Sequence, residues 1–401
     1  MNNKLILKII NIFLLLSFFS SIFSNVIQIQ GLTIVFIAIS FFYYIIFKMF
    51  NLKKLDKFTI IIYINIIFIF FSLITNTFNF ESIRNIMYYT SIIMIYDALE
   101  IRNFEKAIKL LNIIVFFISI YVIIKGIDYY NVYWDLYSVR NVFKIEKQSF
   151  NIIYTIILPL NIYSAYKKKN FKNILILVIN LIASLGVLQI KSIIFSLFFG
   201  FIIINTLLGK IKIKKIILYG IIFLSIIFVV YKLNIINQLT PIVDYIIYGE
   251  DSKYIGSKYL DTYLIRAKLI NLGLSNIINS VKIFFGIGYG NFNILAEGQL
   301  YYRQASGNYI ELPTATESAF LTFFIEGGLF GLIVNLILII LIFKEINKIK
   351  KFEGFSYIII LITSALIVSN IMQDNNTSLI YWFILGACIR TIFNKEIITD
   401  I

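Results

Sequence analysis

Phe320-Leu321-Thr322-Phe323-Phe324-Ile325-Glu326-Gly327-Gly328-Leu329-Phe330-Gly331-Leu332-Ile333-Val334-Asn335-Leu336-Ile337-Leu338-Ile339-Ile340-Leu341-Ile342-Phe343 decides the fold class. The run carries a single charge, Glu326, and is too apolar on every side for the alternation of a barrel strand. A hydrocarbon core about 30 Å thick needs about 20 helical residues. By that measure twelve segments predict membrane-spanning helices: 5–24, 31–47, 58–75, 83–99, 108–124, 149–166, 174–190, 192–208, 216–232, 316–343, 355–372 and 379–393. The first is expected to be retained, because Phe19-Ser20-Ser21-Ile22-Phe23-Ser24 offers no small-x-small cleavage site. The expected fold is therefore an all-α integral membrane protein, residues 1–401 forming a single polytopic domain.

Composition agrees. Of 401 residues, 60% are hydrophobic and 14% charged, and mean hydropathy is +0.88. Soluble domains carry about 25% charged residues. The chain has no histidine, so imidazole serves nowhere as ligand, base or nucleophile. Its one cysteine, Cys388, excludes an intramolecular disulfide and a multi-cysteine metal site. No metal and no cofactor is expected. Any chemistry must come from carboxylates, Lys and Arg, hydroxyls and backbone.

The net charge of +15 reads as topology. Twenty-three Lys and Arg fall at the N-terminus, in the loops near 48–57, 100–109, 167–172, 210–215 and 344–351, and after the last span. Eleven fall in the alternate loops. The bias places both termini in the cytoplasm and gives no support for nucleic-acid binding. Two extracytoplasmic loops are then long: 125–148, and 233–315 between the ninth and tenth spans.

Polar chemistry should gather in those loops and the span ends beside them. The first loop holds Tyr129, Tyr130, Tyr133, Trp134, Tyr137 and Arg140; the second holds nine tyrosines and Arg303. Some of these rings belong to the interfacial belt; others can stack on sugar faces, with Asp128, Asp135, Asp244, Glu250, Asp251 and Asp261 bonding sugar hydroxyls. The spacing of Tyr263, Leu264, Leu269, Ile270, Leu274, Ile277, Ile278 and Val281 predicts a helix over 260–282, lying at the interface with Arg266 at headgroup level.

Gly286-Ile287-Gly288-Tyr289-Gly290 lacks the G-x-G-x-x-G spacing and a βαβ unit, so it is no nucleotide loop. It predicts a tight turn with close backbone approach, whose amides, those of Gly288 and Gly290 included, could bind an anion. Glu317 stands at the outer mouth of a span and Glu326 deeper within it. Glu326 is expected to hydrogen-bond a neighbouring helix, with close packing at Gly327, Gly328 and Gly331. Glu317 is a capping or functional carboxylate. Lys191, between two spans, either snorkels or adds a cation to the same outer face.

Arg266, then Phe285-Gly286-Ile287-Gly288-Tyr289-Gly290-Asn291-Phe292, then Glu317-Ser318, then Glu326-Gly327-Gly328-Leu329-Phe330-Gly331 resemble, in that order, the O-antigen ligase and Wzy-type polymerase superfamily. Lys191-Ser192 looks like that family's Arg beside a Ser, with Lys replacing Arg and the order reversed. Ligases carry His-Asn where this chain has Glu317-Ser318, which favours a repeat-unit polymerase of O-antigen, capsule or exopolysaccharide over a ligase. The resemblance implies a GT-C-like architecture of about twelve helices in the bacterial cytoplasmic membrane. It implies lipid-linked glycans on undecaprenyl diphosphate as partners, and a chain-length regulator as a further one. Under it Glu317 and Arg266 are catalytic, while Arg140, Lys191, Arg303, Gly288 and Gly290 bind diphosphate or glycan. The rival readings are a ligase, a non-enzymatic polysaccharide flippase or transporter, and a pump or channel, which would need mid-membrane ionisable residues that this chain almost lacks beyond Glu326.

Overall fold

The computed structural model describes residues 3–27, 30–50, 56–74, 80–133, 147–188, 190–209, 258–278, 280–296, 301–303, 309–311, 318–349, 352–372 and 378–393, with isolated positions between 214 and 249. The described chain is a helical bundle. In order come α1 (Asn3–Ile27), α2 (Gln30–Phe50), α3 (Lys57–Ile74), α4 (Phe80–Ala98), α5 (Ile101–Tyr133), α6 (Lys147–Lys168), α7 (Phe171–Leu181) and α8 (Lys191–Leu207). After them come α9 (Lys258–Ile278), α10 (Lys282–Phe285), α11 (Phe292–Ala296), the strands β1 (Tyr301–Arg303) and β2 (Tyr309–Glu311), then α12 (Ala319–Ile349), α13 (Gly354–Met372) and α14 (Leu379–Phe393). The strands form one antiparallel hairpin with Tyr302 opposite Ile310.

Among the described residues five helices are long and apolar enough to cross a membrane: Asn3–Phe23, Gly31–Met49, Ile101–Asp128, Ala319–Ile349 and Gly354–Ile371. Shorter apolar helices cover Lys57–Phe70, Phe171–Val187, Ser192–Leu207, Ala267–Ile278 and Leu379–Phe393. The protein is thus all-helical in its main body and membrane-embedded. The expected segment 216–232 lies almost entirely outside the described residues; each of the other eleven overlaps a helix. Two boundaries differ from expectation. Helix α5 continues to Tyr133, so the first nine residues assigned to the 125–148 loop are helical, and residues 134–146 lie outside the described set. The segment 174–190 is not one regular helix, because α7 widens into a π-helix over Ile182–Val187.

The bundle is inside out in the manner of a lipid-solvated protein. Leu110, Ile113, Phe117, Tyr121 and Ile124 are exposed at helical spacing along α5. Ile333, Leu336, Ile337 and Ile340 do the same on α12. Apolar stripes of this length are rare on water-facing surfaces. At the centre lie α4, α6, α13 and α14; every residue from Leu379 to Ile389 is buried. Backbones approach through glycines. A Cβ on Gly200 of α8 would stand 2.8 Å from the Ala365 amide of α13, and one on Gly386 of α14 would stand 2.9 Å from Ile95 Cγ2 of α4. Small residues at such crossings replace the hydrophobic effect, which lipid does not supply.

One end of the bundle is ionic. Lys48 pairs with Asp97 at 2.6 Å, and Tyr44 Oη donates to the same carboxylate. Asp56 caps α3 by accepting from Phe58 N and Thr59 N at 2.9 Å each, and accepts from Tyr96 Oη as well. Glu345 meets Lys57 and Lys348, and Arg390 Nη1 donates to Tyr96 O at 3.1 Å. The ends of α2, α4, α12 and α14 and the start of α3 therefore meet on one side. These ends adjoin four of the seven segments that the charge count groups together: 48–57, 100–109, 344–351 and the C-terminal one.

Candidate functional site at the opposite end

Toward the other end, beside an exposed Lys125–Asp128 pair at 3.6 Å on α5, the buried polar contacts described are between amides, hydroxyls and the Glu326 carboxylate. Helix α12 is interrupted at Gly328, where φ is 64° and ψ −166°. Only glycine takes this conformation readily. The break is filled by the loop after α10. Ile287 N donates to Ile325 O at 2.9 Å, and Gly288 N donates to Glu326 O at 3.0 Å. Gly286, Gly288 and Gly290 have φ of 73°, 95° and 82°, and the loop they bend is buried. The fit is reciprocal: a Cβ on Gly286 would overlap the Glu326 carbonyl, and one on Gly328 would overlap the Phe284 carbonyl. The tight turn expected of the alternate glycines is present, but it reads a helix break. The amide of Gly288 is already engaged there rather than offered to an anion.

Glu326 is 5% exposed. Its Oε1 accepts from Phe292 N, the first amide of α11, at 3.2 Å. A carboxylate at a helix N-terminus satisfies an otherwise orphaned donor. The loop helix is thus one partner of the carboxylate, beside the neighbouring helix expected from the sequence. Tyr289 reaches across the notch left by Gly327 and Gly331; a Cβ on either would come within 2.8 Å of its hydroxyl. Ser82 Oγ of α4 donates to Tyr289 O at 2.5 Å, tying a third element to the loop. Ile69, Asn85, Tyr89, Tyr289, Thr322, Phe323, Glu326 and Trp382 surround a cavity of about 20 Å³, the size of one water. Burial, with the Glu326 charge second, pushes the Tyr289 phenol well above its ordinary pKa, so it stands as a neutral donor. Among the described residues the Tyr289 hydroxyl and Asn85 Oδ1 are buried with no hydrogen bond of ordinary geometry, Asn335 being the side chain that bears on that hydroxyl.

A polar track leaves this junction along the same end. Thr322 Oγ1 donates to Ser318 O at 3.2 Å, and Ser318 Oγ donates to Asn370 O at 3.3 Å. Ser369, next in the chain, accepts from Asn151 Nδ2 at 3.2 Å, and Asn151 Oδ1 accepts from Ser192 Oγ at 3.1 Å. The starts of α6, α8 and α12 and the end of α13 are thereby joined. The π-helix sets the last approach to α8. Its widened turn carries Leu188 N to Ala183 O at 2.9 Å and Ile190 N to Ser184 O at 3.0 Å, and α8 begins at Lys191 directly after it. Such widened turns recur at functional sites.

The expected site residues distribute as follows. Lys191 is the first residue of α8, beside Ser192 of the track. Glu317 lies outside the described residues, one position before Ser318. Arg266 is on α9, whose Leu269 and Ile277 pack with Ile287, Phe292 and Ile325, with Leu321 alongside. A Cβ on Gly273 of α9 would overlap the Ile325 side chain, so α9 lies directly on the first half of α12. Arg303 ends β1, opposite Tyr309. Gly288 and Gly290 are in the buried loop. Arg140 lies outside the described residues. The helix that carries Arg266 therefore meets the first half of α12 through apolar side chains, and the helix that opens with Lys191 is joined to the start of α12 through the polar track. Among the described residues no group of three or more acidic or cysteine side chains could hold a metal ion.

No family model, no curated protein and no solved structure matches this chain.

Asn151, Ser369, Asn370, Asn85 and Tyr89 were not singled out in the sequence. Asparagines inside apolar runs were the available signal, since an amide in hydrocarbon must find a partner. Which partners they find depends on helix neighbours hundreds of residues away.

Proposed function

We propose that this chain is a polymerase of lipid-linked oligosaccharide repeat units, acting at the outer face of a bacterial cytoplasmic membrane. In this reading it has about twelve spans, cytoplasmic termini and an external loop over 233–315. The observation that supports the proposal is that the helix following Glu317 is met in its first half by two elements: the helix bearing Arg266, through apolar side chains, and the helix opening with Lys191, through a track of hydroxyls and amides.

The chemistry follows from these residue types. An acceptor sugar hydroxyl attacks the anomeric carbon of a glycan on undecaprenyl diphosphate. Glu317 takes the hydroxyl proton. The new C–O bond forms as the anomeric C–O bond to diphosphate breaks, with inversion, and undecaprenyl diphosphate leaves. Negative charge grows on that leaving group. The Arg266 guanidinium can grip it bidentately, with Lys191, Arg140 and Arg303 as further cations. Hydrolysable nucleotide is unnecessary because the donor is already activated. Tyr289, Tyr89 and Trp382 line the neighbouring cavity. The lock between the glycine loop and Glu326 would keep α9 against α12, so Arg266 and Glu317 stay in register.

Purified protein in vesicles with synthetic undecaprenyl-diphosphate repeat units tests the reading. Polymer is expected from the wild type, and only single repeats from Arg266→Ala and Glu317→Ala at unchanged protein levels. Polymer from both variants would overturn the assignment. A transport reading has one feature in its favour: a helix broken beside a buried carboxylate also builds transporter sites. Movement of lipid-linked units across vesicles without any bond formation would select it.

A further inference from the structure

We propose that the turn between α6 and α7 is a binding site for the phosphate of anionic phospholipid headgroups. The turn is two residues long, Lys169 and Asn170, and Lys169 in it and Lys167, Lys168 and Lys172 on the flanking helix ends are all exposed. None of the four pairs with a carboxylate among the described residues.

Ordinary helix chemistry explains two of these lysines and not the others. Lys167 and Lys168 lie in the last turn of α6, where a cation complements the helix dipole. Lys169 has φ of 44° and is the sole non-glycine residue with positive φ among those described. Glycine or asparagine takes that conformation at little cost; a lysine does not. Lys172 sits in the first turn of α7, the end of a helix where a cation is disfavoured. The α7 N-terminus is itself capped, since Asn170 Oδ1 accepts from Asn173 N at 3.0 Å. The helix dipole therefore disfavours the Lys172 charge and the backbone disfavours a side chain at Lys169, so the placement of both lysines answers to something outside the fold.

The surroundings identify it as lipid. Tyr166 and Phe171 flank the lysines and are 73% and 79% exposed. Phe171 heads an exposed apolar stripe that continues through Ile174, Leu175, Val178 and Ile182 along α7, and Tyr166 stands one helical turn beyond the exposed Ile162 on α6. The α7 stripe runs away from the turn at helical spacing, so hydrocarbon ends where the lysines begin. That boundary is the headgroup level, where aromatic rings lodge and lysines meet lipid phosphate. Lys167 Nζ also lies 6.0 Å from the Tyr163 ring centre, held over the same rim.

Photoreactive phosphatidylglycerol in nanodiscs of phosphatidylcholine tests the site by mass mapping of labelled peptides. In the wild type the peptide spanning Tyr166–Lys172 should label strongly, and photoreactive phosphatidylcholine should label it several-fold less. Substituting all four lysines by glutamine should abolish that preference. Lys169→Gly should weaken it while leaving the unfolding temperature in pure phosphatidylcholine unchanged or raised, because the positive φ is relieved. Equal labelling by the two lipids, or full preference in the glutamine variant, would overturn the proposal. So would competition by millimolar inorganic phosphate, which would mark a free-anion site, or a lowered unfolding temperature of Lys169→Gly.

Discussion

A side chain at Gly328 would have to share space with the Phe284 carbonyl, and one at Gly286 with that of Glu326. Both positions also have positive φ. Gly328→Ala and Gly286→Ala should therefore each destabilise by on the order of 2–4 kcal/mol, seen as a lower unfolding temperature in detergent. Gly31 is the control: nothing lies within 4 Å of its Cβ position in α2, so Gly31→Ala should stay within about 1 kcal/mol of wild type on the stable side. Matching losses at all three positions would mean that the helix break is not held by this contact. Glu326 makes a different argument. Glu326→Ala removes the acceptor for Phe292 N, and an unpaired buried amide costs about 1–3 kcal/mol. Glu326→Gln keeps an oxygen in place, so its loss should be clearly the smaller one in the same melt.

Helix ends are joined by short polar side chains that each look unremarkable on their own helix. Asn151 is the hub, accepting from Ser192 of α8 and donating to Ser369 of α13. If these contacts work as one network, Asn151→Ala and Ser369→Ala should not add. A double-mutant cycle should show coupling of about 0.6 kcal/mol, the usual size for hydrogen bonds between membrane helices. Strict additivity would reduce the track to a set of neighbours. The π-helix before Lys191 belongs to the same scale. Gly126 of α5 approaches it so closely that a Cβ would stand 2.5 Å from Val187 Cγ1. Gly126→Leu should shift the start of α8 and, under the proposed function, lower polymer yield more than it lowers protein level.

Among the described residues the two ends are unlike: the partly buried ion pairs gather at one, and the buried contacts between amides and hydroxyls at the other. Labelling decides which end faces the cytoplasm. Cys388 is fully buried, so a Cys388→Ser background is a clean start. A membrane-impermeant maleimide should modify Ser280→Cys in intact cells, and Lys169→Cys only after permeabilisation. Labelling of both from the same side would refute the orientation read from the lysine bias.

Much of this was legible in the residues. Hydrophobic length is a local property, so most apolar runs within the described residues marked helices within a few residues of where they stand, while α5 starts seven residues earlier and ends nine later than its apolar run. The helix over 260–282 and the tight glycine turn were likewise readable, because periodicity and backbone freedom are written in short windows. Charge bias grouped the loops that meet in the Lys48, Asp56, Asp97 and Glu345 cluster. Glu326 was recognisable as a buried carboxylate, but its loop-helix partner was not, since choosing Phe292 N depends on the loop folding back into the break at Gly328. Nor could sequence join Ser192 to Asn151 and Ser369, separated by 41 and 218 positions along the chain. A residue's need for a partner follows from its own chemistry and its solvent. The identity of that partner depends on which backbones come close enough, and only the packed bundle settles that.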